Sequence, residues 1–245
     1  NFNSSGTANS AFGYRALYLT STGGSNTGVG YEALYTNGGG GSNTAVGYAA
    51  LFTNSASDYN TAIGTESLNL ATGARNTGIG YRAGSQITTG ANNVVIGSNT
   101  GSSIASLNNH ILISDGSGTE RIRIDSSGNV GIGTTGASKN LSFAGLTNQS
   151  VGMERSTSNG GGNLTINAAG AQAGSIDKAG GNLYLSSGVS TGGGQSTIFF
   201  QTPAFWGSPG TSTDSTMQNK MIISSQGIGI GSVDPYYNFE INSGG

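Results

Sequence analysis

The sequence contains no cysteine, one histidine, one tryptophan and three prolines among its 245 residues. Without cysteine there is no disulfide, no thiol nucleophile and no cysteine-ligated zinc. The lone His110 rules out a metal site built on two histidines, and a Ser-His-Asp arrangement would have to use it. Charge is scarce too: Asp, Glu, Lys and Arg make up 8% of the chain, with a net charge of −2, against a usual charged share of ~25%. The nine basic residues are scattered, so no patch neutralises phosphates and nucleic acid is not an expected partner. No apolar run approaches the ~20 residues of a membrane-spanning helix. The opening N-F-N-S-S-G-T-A-N-S is polar and lacks the apolar stretch of a signal peptide. Membrane insertion is therefore not expected, and no cofactor is called for.

Glycine is what the chain has in excess, with 45 residues. Helix formers are too few for an α-helical domain. Glycine does not recur at every third position, so a collagen is excluded. What remains is an all-β protein rich in Gly, Ser, Thr and Asn turns. Its organisation is a repeat. N-S-A-F-G-Y-R-A-L at 9–17, N-T-G-V-G-Y-E-A-L at 26–34 and N-T-A-V-G-Y-A-A-L at 43–51 align without gaps. N-T-A-I-G-T-E-S-L at 60–68, N-T-G-I-G-Y-R-A-G at 76–84 and N-V-V-I-G-S-N-T-G at 93–101 continue the series. The anchoring glycines Gly13, Gly30, Gly47, Gly64, Gly80 and Gly97 are spaced by 17, 17, 17, 16 and 17.

A period this short cannot hold a helix pair. It suits one coil of a parallel β-solenoid, with two short strands and two turns. Stacking aligns Phe12, Val29, Val46, Ile63, Ile79 and Ile96 as an apolar ladder. A second column is Leu17, Leu34, Leu51 and Leu68, giving way to Gly84 and Gly101. A third is Tyr14, Tyr31, Tyr48 and Tyr81. The next position is polar or charged in five of the six coils and marks a solvated face. There Arg15 falls beside Glu32, and Glu66 beside Arg82, as opposite charges on adjacent coils. The column Asn9, Asn26, Asn43, Asn60, Asn76 and Asn93 reads as a corner residue, because Asn tolerates left-handed angles and bonds its own backbone two residues on.

A 17-residue coil is thin, buries one or two residues in its own interior, and loses much chain entropy on folding. Side-by-side association of identical chains supplies the missing core, and a ring of three closes without an open face. The expected assembly is therefore an intertwined homotrimeric fibre.

The N-T-A-[VI]-G-Y-x-A-L units resemble the head repeats of trimeric autotransporter adhesins, and more closely the related repeats of bacteriophage tail fibres and bacterial surface fibres. The resemblance covers about residues 1–101. It implies a left-handed parallel β-roll and says nothing specific about the ligand.

The period is lost from 102 onward. His110-Ile111-Leu112-Ile113 and Arg121-Ile122-Arg123-Ile124 flank D-G-S-G-T-E at 115–120, and V-G-I-G follows at 130–133, a three-strand meander by its alternation. K-M-I-I-S-S-Q-G-I-G-I-G at 220–231 repeats R-I-R-I-D-S-S-G-N-V-G-I-G at 121–133 with one residue fewer. Between them G-G-N-L-T-I-N at 161–167, G-G-N-L-Y-L-S at 180–186 and S-T-I-F-F-Q-T at 196–202 read as short strands between glycine turns. The expected organisation is a β-roll over 1–108, a meander connector over 109–140, a Gly-rich β region over 141–216 and a C-terminal β element over 217–245. This C-terminal order resembles the distal region of phage tail fibres, where a self-cleaving intramolecular chaperone commonly follows. The sequence stops before any such domain, so a matured product or a fragment is expected.

Candidate sites are few. Asp115-Gly-Ser-Gly-Thr-Glu120 sets oxygens at alternate positions as a calcium loop does, but with too few ligands, and a hairpin turn is the expectation. His110 is expected at a strand edge or an interface. Phe205 and Trp206, in T-P-A-F-W-G-S-P-G at 202–210, are the candidate glycan contact; a plug for the trimer core is the favoured reading. The Tyr column is read as packing. The rank Thr27, Thr44, Thr61 and Thr77 is single, whereas an ice-binding face needs two. The functional expectation is a virion tail-fibre segment for host attachment. Its partners would be its own copies, a host-surface glycan or protein receptor, and other virion tail proteins. A bacterial surface adhesin or extracellular filament is the alternative, and a tailspike-type glycan depolymerase, which needs a carboxylate pair, is the rival from another class. An enzyme is not expected.

Overall fold

A computed structural model describes residues 5–144, 151, 166, 185, 198–203, 217–224 and 227–230. The chain separates into two units, Asn1–Gly152 and Met153–Gly245. Among the described residues the structure is all-β, with one 3₁₀ turn at Ser102–Ile104.

The first unit is a parallel β-solenoid of about six coils. Its strands are β1 (Ser10–Phe12), β2 (Leu19–Thr20), β3 (Thr27–Val29), β4 (Thr36–Asn37), β5 (Thr44–Val46), β6 (Thr53–Asn54), β7 (Thr61–Ile63), β8 (Thr77–Ile79) and β9 (Val94–Ile96). They lead into β10 (Ile111–Ser114), β11 (Glu120–Ile124), β12 (Val130–Ile132) and β13 (Leu141–Phe143). One ten-stranded sheet takes the order β1-β3-β5-β7-β8-β9-β10-β11-β12-β13; β2, β4 and β6 form a second, short parallel sheet. The register is that of the repeat: Thr27 lies on Thr44, Thr44 on Thr61 and Thr61 on Thr77.

The period runs further than the sequence suggested. Ile111 sits on Val94 and Ile113 on Ile96, one 17-residue step on. The geometry continues although Gly, Tyr and Leu are gone. The sheet then turns antiparallel through β11 and β12, as the meander pattern implied, and β13 adds in parallel.

The glycine column marks a close approach between coils. Gly47 has φ 138°, and a Cβ there would lie 2.6 Å from the Gly64 carbonyl carbon. The other corners are held by residues with side chains. Glu32 and Leu34 take φ of 53° and 51°, and Arg15, Leu17, Ala49, Leu51, Glu66, Leu68 and Arg82 do likewise. Such conformations cost about 1–3 kcal/mol each and persist because both neighbouring coils hold the backbone.

The Asn column corrects the sequence reading. The left-handed residue is the one before each Asn: Ala8, Ser25, Ser42, Tyr59, Arg75 and Asn92 have φ of 57–61°, and Asn109, before His110, has 62°. From Asn26 to Asn93 the Asn side chains are fully buried. Each Oδ1 accepts the N–H of the next Asn along the solenoid at 2.8–3.0 Å. Most Nδ2 groups donate to a loop carbonyl at 2.8–2.9 Å, that of Gly40 for Asn26 and Ser57 for Asn43. A coil this narrow has no room for a second apolar layer at its corner, so an internal amide ladder satisfies the backbone there. The one 16-residue coil breaks the pattern: Gly73's carbonyl serves Asn76 at 3.0 Å, and Asn60 Nδ2 is left without a partner.

The apolar interior combines the Leu column with the middle strand residues. Leu34, Leu51 and Leu68 are fully buried beside Ala33, Ala45, Ala50 and Ala62. At Gly78 a Cβ would meet Leu68 Cγ at 2.9 Å, so the strand position must be small while Leu fills the coil. Where Gly84 and Gly101 replace Leu, Ile87 and Ile104 enter the core from later in the coil, and the strand residues grow to Val95 and Leu112. Volume is conserved by exchange, as close packing requires.

The second unit holds β14 (Ile198–Pro203), β15 (Met217–Ser224) and β16 (Gly227–Ile230) in one antiparallel sheet. Its strand pairing follows that of the first meander. Ile111 pairs with Ile124 as Ile198 pairs with Ile223, and both β10–β11 and β14–β15 shift register after the third pair. Ile124 then pairs with Val130, and Ile223 with Ile228, which places the missing residue in the turn. The echoes at 161–167 and 180–186 lie outside the described residues, apart from Ile166 and Leu185.

A candidate self-association face

Side chains alternate across a strand, so the interior residues determine what faces out. With Ala45, Ala62, Val95 and Leu112 buried, their neighbours form two outward columns along the ten-stranded sheet. One is Ser10, Thr27, Thr44, Thr61, Thr77, Val94, Ile111, Ile124, Val130 and Leu141, aligned by the register. The other is Phe12, Val29, Val46, Ile63, Ile79, Ile96, Ile113, Ile122, Ile132 and Phe143, apolar throughout. The apolar ladder foreseen from the sequence is thus on the outside. Phe12 is 77% exposed, Ile63 41% and Ile132 39%. Neither column contains a charged residue. Ten strands at ~4.8 Å spacing make this strip roughly 43 Å long, a size at which an exposed apolar patch marks an interaction surface.

At Gly13, Gly30, Gly47 and Gly80 the chain turns from this face to a tyrosine. Tyr14, Tyr31 and Tyr48 stack with ring centroids 5.2 and 5.4 Å apart. A second ladder, Tyr18, Tyr35 and Phe52, stacks at 5.4 and 4.9 Å. It was legible as another 17-residue spacing. The Arg15 guanidinium lies 5.1 Å from the Tyr14 centroid and 5.5 Å from that of Tyr18. Within each ladder the ring faces are turned to neighbouring rings, so edges and hydroxyls meet solvent. That geometry favours packing over sugar stacking, which needs an open face.

The charges behave as the columns implied. Arg15 Nη1 lies 3.4 Å from Glu32 Oε1, and Arg82 Nε 3.0 Å from Glu66 Oε2. The hydrogen bond that Arg15 donates to Glu32 raises the Arg15 pKa, and the Glu32 charge raises that of the Tyr31 phenol.

The D-G-S-G-T-E segment forms the hairpin between β10 and β11. Asp115 Oδ1 accepts from Ser117 Oγ at 2.6 Å and from the Ser117 and Thr119 amides, while Oδ2 accepts Arg121 Nε at 2.9 Å. These bonds, the Ser117 hydroxyl foremost, hold its carboxyl far below the ordinary range. Asp125 is lowered in the same way by the Asn129 amide and side chain. The carboxylate is occupied by its own turn, and among the described residues no cluster of three or more His, Asp or Glu groups stands ready for a metal ion. His110 continues the Asn ladder: its N–H donates to Asn93 Oδ1 at 3.0 Å, and Nδ1 lies 2.8 Å from the Asn108 carbonyl. Glu120 is ion-paired to Arg123 at 2.7 Å, both nearly buried, and Arg123 also donates to Ser103 Oγ. Phe205 and Trp206 lie outside the described residues.

No protein-family model matches the chain, and neither a curated protein nor a solved structure is significantly similar to it.

Proposed function

We propose that this chain is a segment of a homotrimeric attachment fibre of the phage tail-fibre kind. The observation that carries the reading is the uncharged apolar strip along the whole ten-stranded sheet. A lone rod would leave that strip in water. Identical copies meeting on it bring no like charges together. The strip and the Tyr ladder lie on the two sides of the Gly13, Gly30 and Gly47 corners; a two-fold pair covers one side, and a ring of three covers both. The rod gains length one coil at a time without cross-links, which suits reach, and the repeat resemblance points to attachment at a host surface.

Light scattering tests the assembly: a mass near three times the 24.4 kDa of the chain is expected, and a stable single-chain mass overturns it. Saturable binding of the labelled fibre to host cells, in competition with intact virions, tests attachment. Release of reducing ends from host polysaccharide, abolished by removing one acidic residue, would replace this reading with a depolymerase.

A further inference from the structure

We propose that the self-association face is divided at Val94, and that its C-terminal part, from Val94 to Phe143, is the clamp that holds copies of this chain together. The inference rests on the fibre reading above and names the part of the surface that does the holding. Along the first outward column the residues are Thr27, Thr44, Thr61 and Thr77, and then without exception aliphatic: Val94, Ile111, Ile124, Val130 and Leu141. The second column stays apolar throughout. Each strand up to β8 therefore offers a partner one apolar side chain and one hydroxyl. Each strand from β9 on places two apolar side chains in these two columns and no polar group there. A hydroxyl pressed against another chain must find a partner or keep its water, whereas the aliphatic pairs contribute in proportion to the area they bury.

The backing of the two parts differs in the same sense. Behind the threonine part the interior strand positions are Gly28, Ala45, Ala62 and Gly78; behind the first two strands of the clamp they are Val95 and Leu112, with Ile104 beside them, and behind the last three Arg123, Gly131 and Ser142. The buried Arg123–Glu120 pair, which also engages Ser103, ties the meander to the last coil. The clamp is thus the drier surface, and its first two strands have the larger apolar backing. The occupant it suits is a second copy of itself, because a straight file of side chains repeating at the strand spacing finds its match in an identical file, and no charge opposes the pairing.

Two matched double variants test this. Ile113→Asn with Ile132→Asn alters the clamp; Val46→Asn with Ile63→Asn alters the threonine part. All four side chains are 37–41% exposed in the single chain, so circular dichroism should show both variants folded. Mass is read by light scattering over a dilution series. The clamp variant is expected to need a concentration on the order of 100-fold higher to assemble, with the other variant close to the unaltered protein. Equal losses, or a larger loss in the threonine part, overturn the clamp while leaving the fibre reading intact. An unaltered protein that stays monomeric throughout overturns both.

Discussion

At the residue scale, two small groups hold the coils in register, and each makes a sharp expectation. Gly47→Ala would drive a methyl into the Gly64 carbonyl at a φ of 138°. It should cost on the order of 3 kcal/mol or more in urea unfolding. Asn43 accepts from the Asn60 amide and donates to Ser57 and Asn26. Asn43→Ala leaves buried groups without partners, about 1–3 kcal/mol for each. Asn60 already has an idle Nδ2, so Asn60→Ala should cost measurably less in the same experiment. Equal losses would show that the amide donors of the ladder contribute nothing. The ion pairs Arg15–Glu32 and Arg82–Glu66, both read from spacing, are exposed enough for solvent to screen them.

At the element scale, the coil is an exchange of volumes. Leu51 is fully buried, and Leu51→Ala should destabilise by about 2–5 kcal/mol. Where the Leu column gives way to Gly84 and Gly101, Ile87 and Ile104 fill the core instead. Their 17-residue separation was visible, but nothing in it said that they point inward. The two hairpin turns carry a pH dependence. Asp115 and Asp125 have lowered carboxyl pKa values in the folded chain. Their contribution is therefore complete above the ordinary value near 3.9 and is lost as pH falls through the lowered values. Asp115 is held further down, with Arg121 assisting, so the β11–β12 turn should loosen first on acidification. Hydrogen exchange at the Ser127 and Asn129 amides, compared with Ser117 and Thr119 between about pH 5 and about pH 2, reads the order directly. Simultaneous loosening would contradict it.

At the scale of the whole molecule, the first unit is a rod whose private core is narrow and whose outer sheet carries one apolar column from end to end. Its stability should therefore depend on chain concentration. Thermal unfolding of the assembled protein is expected to shift upward with concentration, as it does whenever partners bind only the folded form. A midpoint indifferent to a hundredfold dilution would speak for a self-sufficient chain. The duplicated meander extends the pattern into the second unit, where the Ile198–Ile223–Ile228 register reproduces Ile111–Ile124–Val130. The sequence echo covered only two of those three strands. The first strand keeps its apolar pattern but none of its letters beyond isoleucine, and a sheet asks for no more.

What the sequence determined by itself was which residue lies on which: a period of 17 with one step of 16 sets every column, the charge pairs and the aromatic stacks. It did not determine which columns face inward. That depends on where the backbone turns, and the turns are made at positive φ by Glu, Arg, Leu and Ser as much as by Gly. Those residues carry no sign of a left-handed bend, because the cost of adopting it is met by the coils above and below. Only with those bends in place did the Asn column move inside, the Val and Ile column move outside, and the exposed apolar face come into existence.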